Sequence, residues 1–260
     1  MDLVFAEWAG LIPGDRASGS TLSLTMPLKK SEKGGSGAFR ARASDGLEYY
    51  VKAPNHAQGG KVLVSEFVVA ALGNYLGPGI CRVQPIEIDS TFVGWEFKDG
   101  LVLQEGWGTA SGVVPYATDE GGQPLHRGED DNANRHVTMF ALYDLCWGGD
   151  GQWLFSSVDS SVHSHDHGWY FPPEGADWNP VELRARAEEA RTCPWDPSGL
   201  SRLAVETVCE RLLALDRTLL LSVLSQVPSS WPVEAADLEA LGAFVESRTE
   251  PVATRLASLV

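Results

Sequence analysis

Val162-His163-Ser164-His165-Asp166-His167-Gly168-Trp169 is the stretch on which the fold turns. It follows the apolar run Trp153-Leu154-Phe155 across a serine-rich turn, and the two read as a pair of short strands. Asp166, set between histidines and before a glycine at a strand end, is well placed to hold a cation. Two cations compete for it. One is a magnesium ion carried with a nucleotide; the other is a transition metal on His163, His165 and His167. On a strand the three imidazoles point to one face and Asp166 to the other, but same-face neighbours lie about 6.5–7 Å apart. Sharing one ion would therefore require a sharp bend. A third reading has the histidines simply packing around a structural strand.

Upstream, Gly34-Gly35-Ser36-Gly37 is a glycine-rich turn. It leads into the alternating segment Ala38–Ala43, the hairpin turn Asp45-Gly46, and a second strand, Leu47–Lys52. An earlier strand is expected over Ser20–Met26. Glycines let backbone amides approach a phosphate, and Lys52 can supply the counter-charge; taken alone, a strand-end lysine is ordinarily a solvated surface residue. A loop spans Pro54–Gly60. The i, i+3, i+4 pattern of Val64, Phe67, Val68, Ala71, Leu72 and Tyr75 then predicts a helix over Lys61–Leu76, stopped by Gly77-Pro78-Gly79. Glu66 lies beside the apolar stripe, where a carboxylate either reaches water or takes a cationic partner; Lys52 is the natural candidate.

Strands are expected over Ile80–Asp89, Thr91–Phe97 and Gly100–Gly106, the last running into a joint between two lobes. Gly106–Asp131 is polar and rich in glycine and proline, and reads as a long, mobile surface excursion. A helix follows over 132–147, ending in the tight loop Gly148-Gly149-Asp150-Gly151 with Asp150 at its tip. The remainder is helical: Val181–Arg191, two helices within Leu200–Val227 with Asp216 as an N-cap between them, and Val233–Val260 broken at Pro251.

Composition narrows the function. Twenty basic and 35 acidic side chains give a formal charge of −15, a surface that repels phosphate backbones and anionic membranes. Neither nucleic acid nor a membrane is an expected partner, and no apolar run approaches the roughly 20 residues of a membrane span. The four cysteines form no CxxC pair and read as reduced thiols of a cytoplasmic protein. There is no Gly-x-Ser-x-Gly elbow, HExxH pair or P-loop.

The order of glycine-rich turn, hairpin, lysine, helix with glutamate, joint, helix, aspartate loop, strand and Asp-Gly resembles the protein-kinase-like fold. Within it, the chain is most similar to the HipA-type kinases, distant relatives of the phosphatidylinositol 3- and 4-kinases. Gly34–Ser36 through Tyr50-Val51-Lys52, Gln58–Glu66 into Leu76-Gly77, and His165-Asp166-His167-Gly168 carry the resemblance, with Gln226–Trp231 a similar helix ending. It implies an α+β, two-lobed fold. An antiparallel sheet and one helix would form the N-terminal lobe (1–105), and a mainly helical C-terminal lobe (106–260) would carry the catalytic and metal-binding loops.

It also implies roles. Gly34, Gly35, Ser36 and Lys52 would meet the nucleotide phosphates, and Glu66 would hold Lys52. Gln104, Glu105 and Gly106 would form the adenine hinge, Asp166 would bind Mg2+, and Asp150 would orient the acceptor hydroxyl. The implied activity is transfer of the γ-phosphoryl group of ATP to a hydroxyl, with a protein serine or threonine as substrate. The chain departs from the family pattern after Asp150, where Gly151 replaces an arginine and no asparagine precedes Asp166, sixteen residues on. Gln152 is the one amide there that could serve in catalysis and metal binding. A nucleotide-binding pseudokinase acting on a regulatory partner is therefore the alternative, with a metal-dependent hydrolase behind it.

Overall fold

The computed structural model describes residues 2–16, 19–30, 35, 37–173 and 177–260. Gly34 and Ser36 lie outside the described residues. Five antiparallel strands form the first sheet: β1 (Leu24–Lys29), β2 (Phe39–Ala43), β3 (Glu48–Lys52), β4 (Val83–Ile88) and a later strand, Gly106–Gly112. Between the last two, β5 (Glu96–Lys98) and β6 (Leu101–Val102) form a separate hairpin, so Gly106–Gly112 is β7. The spatial order is β1-β2-β3-β7-β4. The alternation of β2 puts Phe39, Ala41 and Ala43 inward, where they meet Val51, Ile86, Ile88, Phe97 and Leu103. Pro27 is tolerated because β1 is an edge strand that needs no donor on its free side.

Two sequence expectations fail in this region. Thr91–Phe97 is mostly not a strand: Asp89 accepts the N–H of Thr91 at 2.8 Å and turns the chain into a short 3-10 segment, Ser90–Phe92. The supposed excursion beginning at Gly106 instead opens with β7, an interior strand flanked by β3 and β4. Its glycines disguised it, yet they are what the position demands. A Cβ on Gly108 would stand 2.3 Å from the carbonyl oxygen of Lys52. The first sheet thus extends past residue 105, where the lobe boundary was expected.

Helix α2 (Lys61–Leu76) leaves the β3 loop and is buried around most of its circumference, not along one stripe. The glycine stop places 79–81 against the second sheet, where the Ser164 N–H donates to Gly79 O at 2.7 Å and the Cys81 N–H to Ser164 O at 2.9 Å. That second sheet has the order β10-β9-β8, from β8 (Ala117–Gly121), β9 (Gln152–Ser156) and β10 (Val162–Ser164). Helix α3 (Asn132–Leu145) lies between β8 and β9 in the chain.

The main core joins α2 and α3 to the C-terminal helices α4 (Pro180–Arg186), α5 (Arg202–Ala214), α6 (Arg217–Leu224) and α7 (Ala235–Ala257). Asp216 caps α6 as expected, accepting the N–H of Leu219 at 2.9 Å. Proline does not break α7, contrary to expectation: Pro251 is exposed within a continuous helix whose flanking residues Val245, Arg248, Val252 and Ala253 are buried. Burial on both sides outweighs one missing hydrogen bond.

The first helix of the chain, α1 (Asp2–Glu7), and Trp8 pack on α7, not on the N-terminal sheet. Gly242 provides the room, since a Cβ there would fall 2.3 Å from the Trp8 ring. The four cysteines are free thiols. Among the described residues no helix is long and apolar enough to cross a membrane.

Candidate active site

Lys52 ends β3, pairing in register with Thr109 of β7. It is 7% exposed, so the surface reading of this lysine does not hold. Its Nζ donates to Glu66 Oε1 and, at 2.6 Å, to Asp166 Oδ1. Glu66 comes from the buried face of α2 and is 3% exposed. Asp166 follows β10 in the left-handed region (φ 54°), a conformation an aspartate tolerates better than most residues. Residues 114 positions apart thus meet because the segment after α2 clamps the end of β10.

One ammonium faces two carboxylates. Burial opposes its charge, yet Glu66 and Asp166 outweigh that and raise the Lys52 pKa. Burial opposes the charge of Asp166 too, but Lys52 dominates and holds its carboxyl down at about 2. Glu66 goes the other way: burial and the charge of Asp166 push it up to about 7 against the pull of Lys52. Two carboxylates this close do not ionise alike. Asp166 therefore carries the charge, while Glu66 is held above the usual carboxylate range.

The histidines do not share a face. Strand β10 ends at Ser164, so the alternation stops there. His163 Nε2 meets Ser161 Oγ at 2.8 Å, and His165 Nε2 meets Asp119 Oδ1 at 3.3 Å. His167 is fully buried beside Ser164 Oγ at 2.8 Å, and burial lowers its pKa to about 3. Among the described residues no three His, Cys, Asp or Glu side chains gather as a metal site. The transition-metal reading, and the hydrolase built on it, lose their ligand set.

Asp150 is exposed at the end of its loop, where Gln152 Nε2 donates to its Oδ2 at 2.8 Å. The His165 N–H donates to Gln152 O at 3.2 Å, which ties this loop to the residue before Asp166. Gly151 explains the missing arginine: a Cβ there would lie 2.6 Å from the Trp195 ring and 3.1 Å from that of Trp153.

Gly35 is exposed, and its carbonyl accepts from Lys98 Nζ at 2.9 Å. Gln104 and Glu105 are exposed ahead of β7, and Gly106 opens that strand. The chain passes from the first sheet to the second only after Gly112, through Val113–Tyr116. The joint expected at 104–106 therefore lies at the other end of β7, hidden because a Gly-Trp-Gly-Thr-Ala-Ser-Gly strand carries no apolar alternation.

A strand lysine of the β1-β2-β3-β7-β4 sheet is thus held by a helix glutamate and a loop aspartate. Residues 25–143 match the family of HipA-like kinases. The match runs from β1 to α3 and contains Lys52 and Glu66; Asp150, Gln152 and Asp166 lie beyond it. Among solved structures, the Helicobacter pylori proinflammatory kinase CtkA is similar over 94% of this chain and 98% of its own, at 14% identity and a TM-score of 0.58. The Golgi casein kinase aligns with 99% of this chain and 75% of its own, at 10% identity and a TM-score of 0.46; a second structure of it, with Mn/ADP bound, scores 0.44 at 10% identity, over 99% of this chain and 76% of its own. No curated protein matches. The likeness to CtkA gives the chain a protein-kinase-like fold, and the HipA-like match over residues 25–143 supports a kinase-like function.

Proposed function

We propose that the protein is an ATP-dependent, HipA-like kinase that transfers the γ-phosphoryl group to a hydroxyl, with a protein serine or threonine as acceptor. The Lys52–Glu66–Asp166 cluster, its lysine and glutamate buried and its aspartate half-buried, carries this reading. A lysine locked between a helix and a loop is already oriented to receive phosphate oxygens, so little ordering remains when the nucleotide arrives.

The donors suit a hard divalent cation such as Mg2+. Asp166 stays ionised at neutral pH, and Gln152, with its amide nitrogen spent on Asp150, keeps an amide oxygen. Mg2+ is usually held by one or two carboxylates together with substrate phosphates. When bound, the ion would neutralise charge on the phosphates. Lys52 binds and orients them, and Glu66 holds Lys52 in place. Asp150 aligns the acceptor hydroxyl and takes its proton. The adenine would be read by backbone groups of Val113–Tyr116, where the chain crosses between the sheets.

A second reading, a pseudokinase that binds nucleotide for a regulatory partner, has one observation in its favour. Gln152 already occupies an oxygen of Asp150, and Gly151 leaves no room for an arginine beside it. Phosphoryl transfer from γ-labelled ATP to a serine- and threonine-containing substrate mixture separates the two. A kinase transfers label, and Asp150→Asn loses at least about a hundredfold of the rate. Label transfer by wild type and variant alike would reject Asp150 as the base. Nucleotide binding without transfer would establish the pseudokinase.

A further inference from the structure

The loop between β3 and α2 looks like a connector, but it holds three buried side-chain atoms with no hydrogen-bond partner: Asn55 Oδ1, His56 Nε2 and Gln58 Oε1. His56 is the most telling. It is 6% exposed, and its Nδ1 accepts the N–H of Gln58 at 3.2 Å. That bond fixes the tautomer, because a nitrogen that accepts cannot carry the proton of the neutral ring. Nε2 is therefore an N–H donor, shut off from water and aimed at no protein acceptor. Folded proteins rarely leave such a donor unmet, and the exceptions often mark a functional role.

Its setting says what would satisfy it. Lys52 and Asp166 are the charged groups whose fields reach the ring. Burial, with Lys52 helping, lowers the His56 pKa to about 4, so the ring is neutral at physiological pH. Gln58 lies beside Gly35: its Nε2 is 3.3 Å from where a Cβ of Gly35 would stand. The loop thus runs from Lys52 to Gly35. A neutral donor beside a lysine suits an anionic oxygen, because it adds a hydrogen bond without a second positive charge to repel the first.

We propose that His56 is a phosphate-binding residue, its Nε2–H donating to a phosphate oxygen of the nucleotide held by Lys52. This rests on the nucleotide-binding reading above. Asparagine and glutamine separate the two ring nitrogens. His56→Asn keeps an acceptor for the Gln58 N–H and removes the distal donor; His56→Gln restores a donor near Nε2. His56→Phe keeps the ring volume without any donor.

Calorimetric titration with Mg-ADP and with adenosine reads the outcome, alongside melting temperatures of the free proteins. His56→Asn and His56→Phe are expected to bind ADP roughly ten- to a hundredfold more weakly. Adenosine affinity stays unchanged, and His56→Gln recovers most of the loss. Equal ADP affinity in wild type and both donorless variants overturns the assignment while leaving the nucleotide site standing. So does an equal loss for adenosine, which marks a structural role. If wild type binds neither ADP nor ATP, the nucleotide reading itself falls, and this inference with it.

Discussion

Replacing Glu66 by glutamine tests the electrostatics of the cluster directly. If Glu66 carries a proton in the folded protein, glutamine is its near copy: the amide oxygen accepts from Lys52, and the amide nitrogen donates to Asp166. In wild type, burial raises the carboxyl from 4.5 to about 7. A group whose folded pKa lies above its unfolded value contributes stability that is complete below the unfolded pKa. That stability is lost as pH rises through the folded one. The window here is therefore pH 4.5 to about 7. A shift of that size corresponds to at most roughly 3 kcal/mol, and coupling to Lys52 and Asp166 reduces what is seen.

Urea unfolding of wild type and Glu66→Gln between pH 5 and 8 is the assay. The two proteins are expected to be about equally stable at pH 5. Glu66→Gln should then gain about 1–3 kcal/mol over wild type by pH 8. A variant weaker than wild type by a constant amount across the range would refute the reasoning. It would mean that Glu66 is ionised and that its charge, not its hydrogen bonds, holds Lys52.

Two other substitutions test the fold around the site. Gly108→Ala drives a methyl into the Lys52 carbonyl, a backbone atom that cannot step aside, and should cost about 3 kcal/mol in denaturant unfolding. An unchanged midpoint would mean that β7 does not lie against β3 as described. Pro251→Ala restores a helix donor at an exposed position and should raise the melting temperature, by about 1–3 kcal/mol of added stability; a lower melting temperature would show that the proline ring contributes packing.

Much of the site was legible in the chain. The β2–β3 hairpin, α2 with its glycine stop, and Asp166-His167-Gly168 after a short strand are local signals. Each follows from side-chain alternation, helical spacing or turn chemistry within a dozen residues. The same local logic misjudged β7, where glycine, threonine and serine suggested a loop. Those small residues are required by the backbone of β3 approaching from the side, which no neighbour in sequence reveals. Likewise Pro251 is a helix breaker only where nothing else holds the helix, and α7 is held on both sides of it.

The chain by itself set a lysine at a strand end, a glutamate within a helix and an aspartate after a short strand, and their order pointed to a kinase-like fold. Tertiary structure decided what those residues are to one another. Asp166 is held low and Glu66 raised because both face a single buried ammonium while Glu66 alone is sealed in the core, and burial is a property of the packed molecule. The same holds for His56, a residue in an ordinary loop until the fold seals its donor beside Lys52.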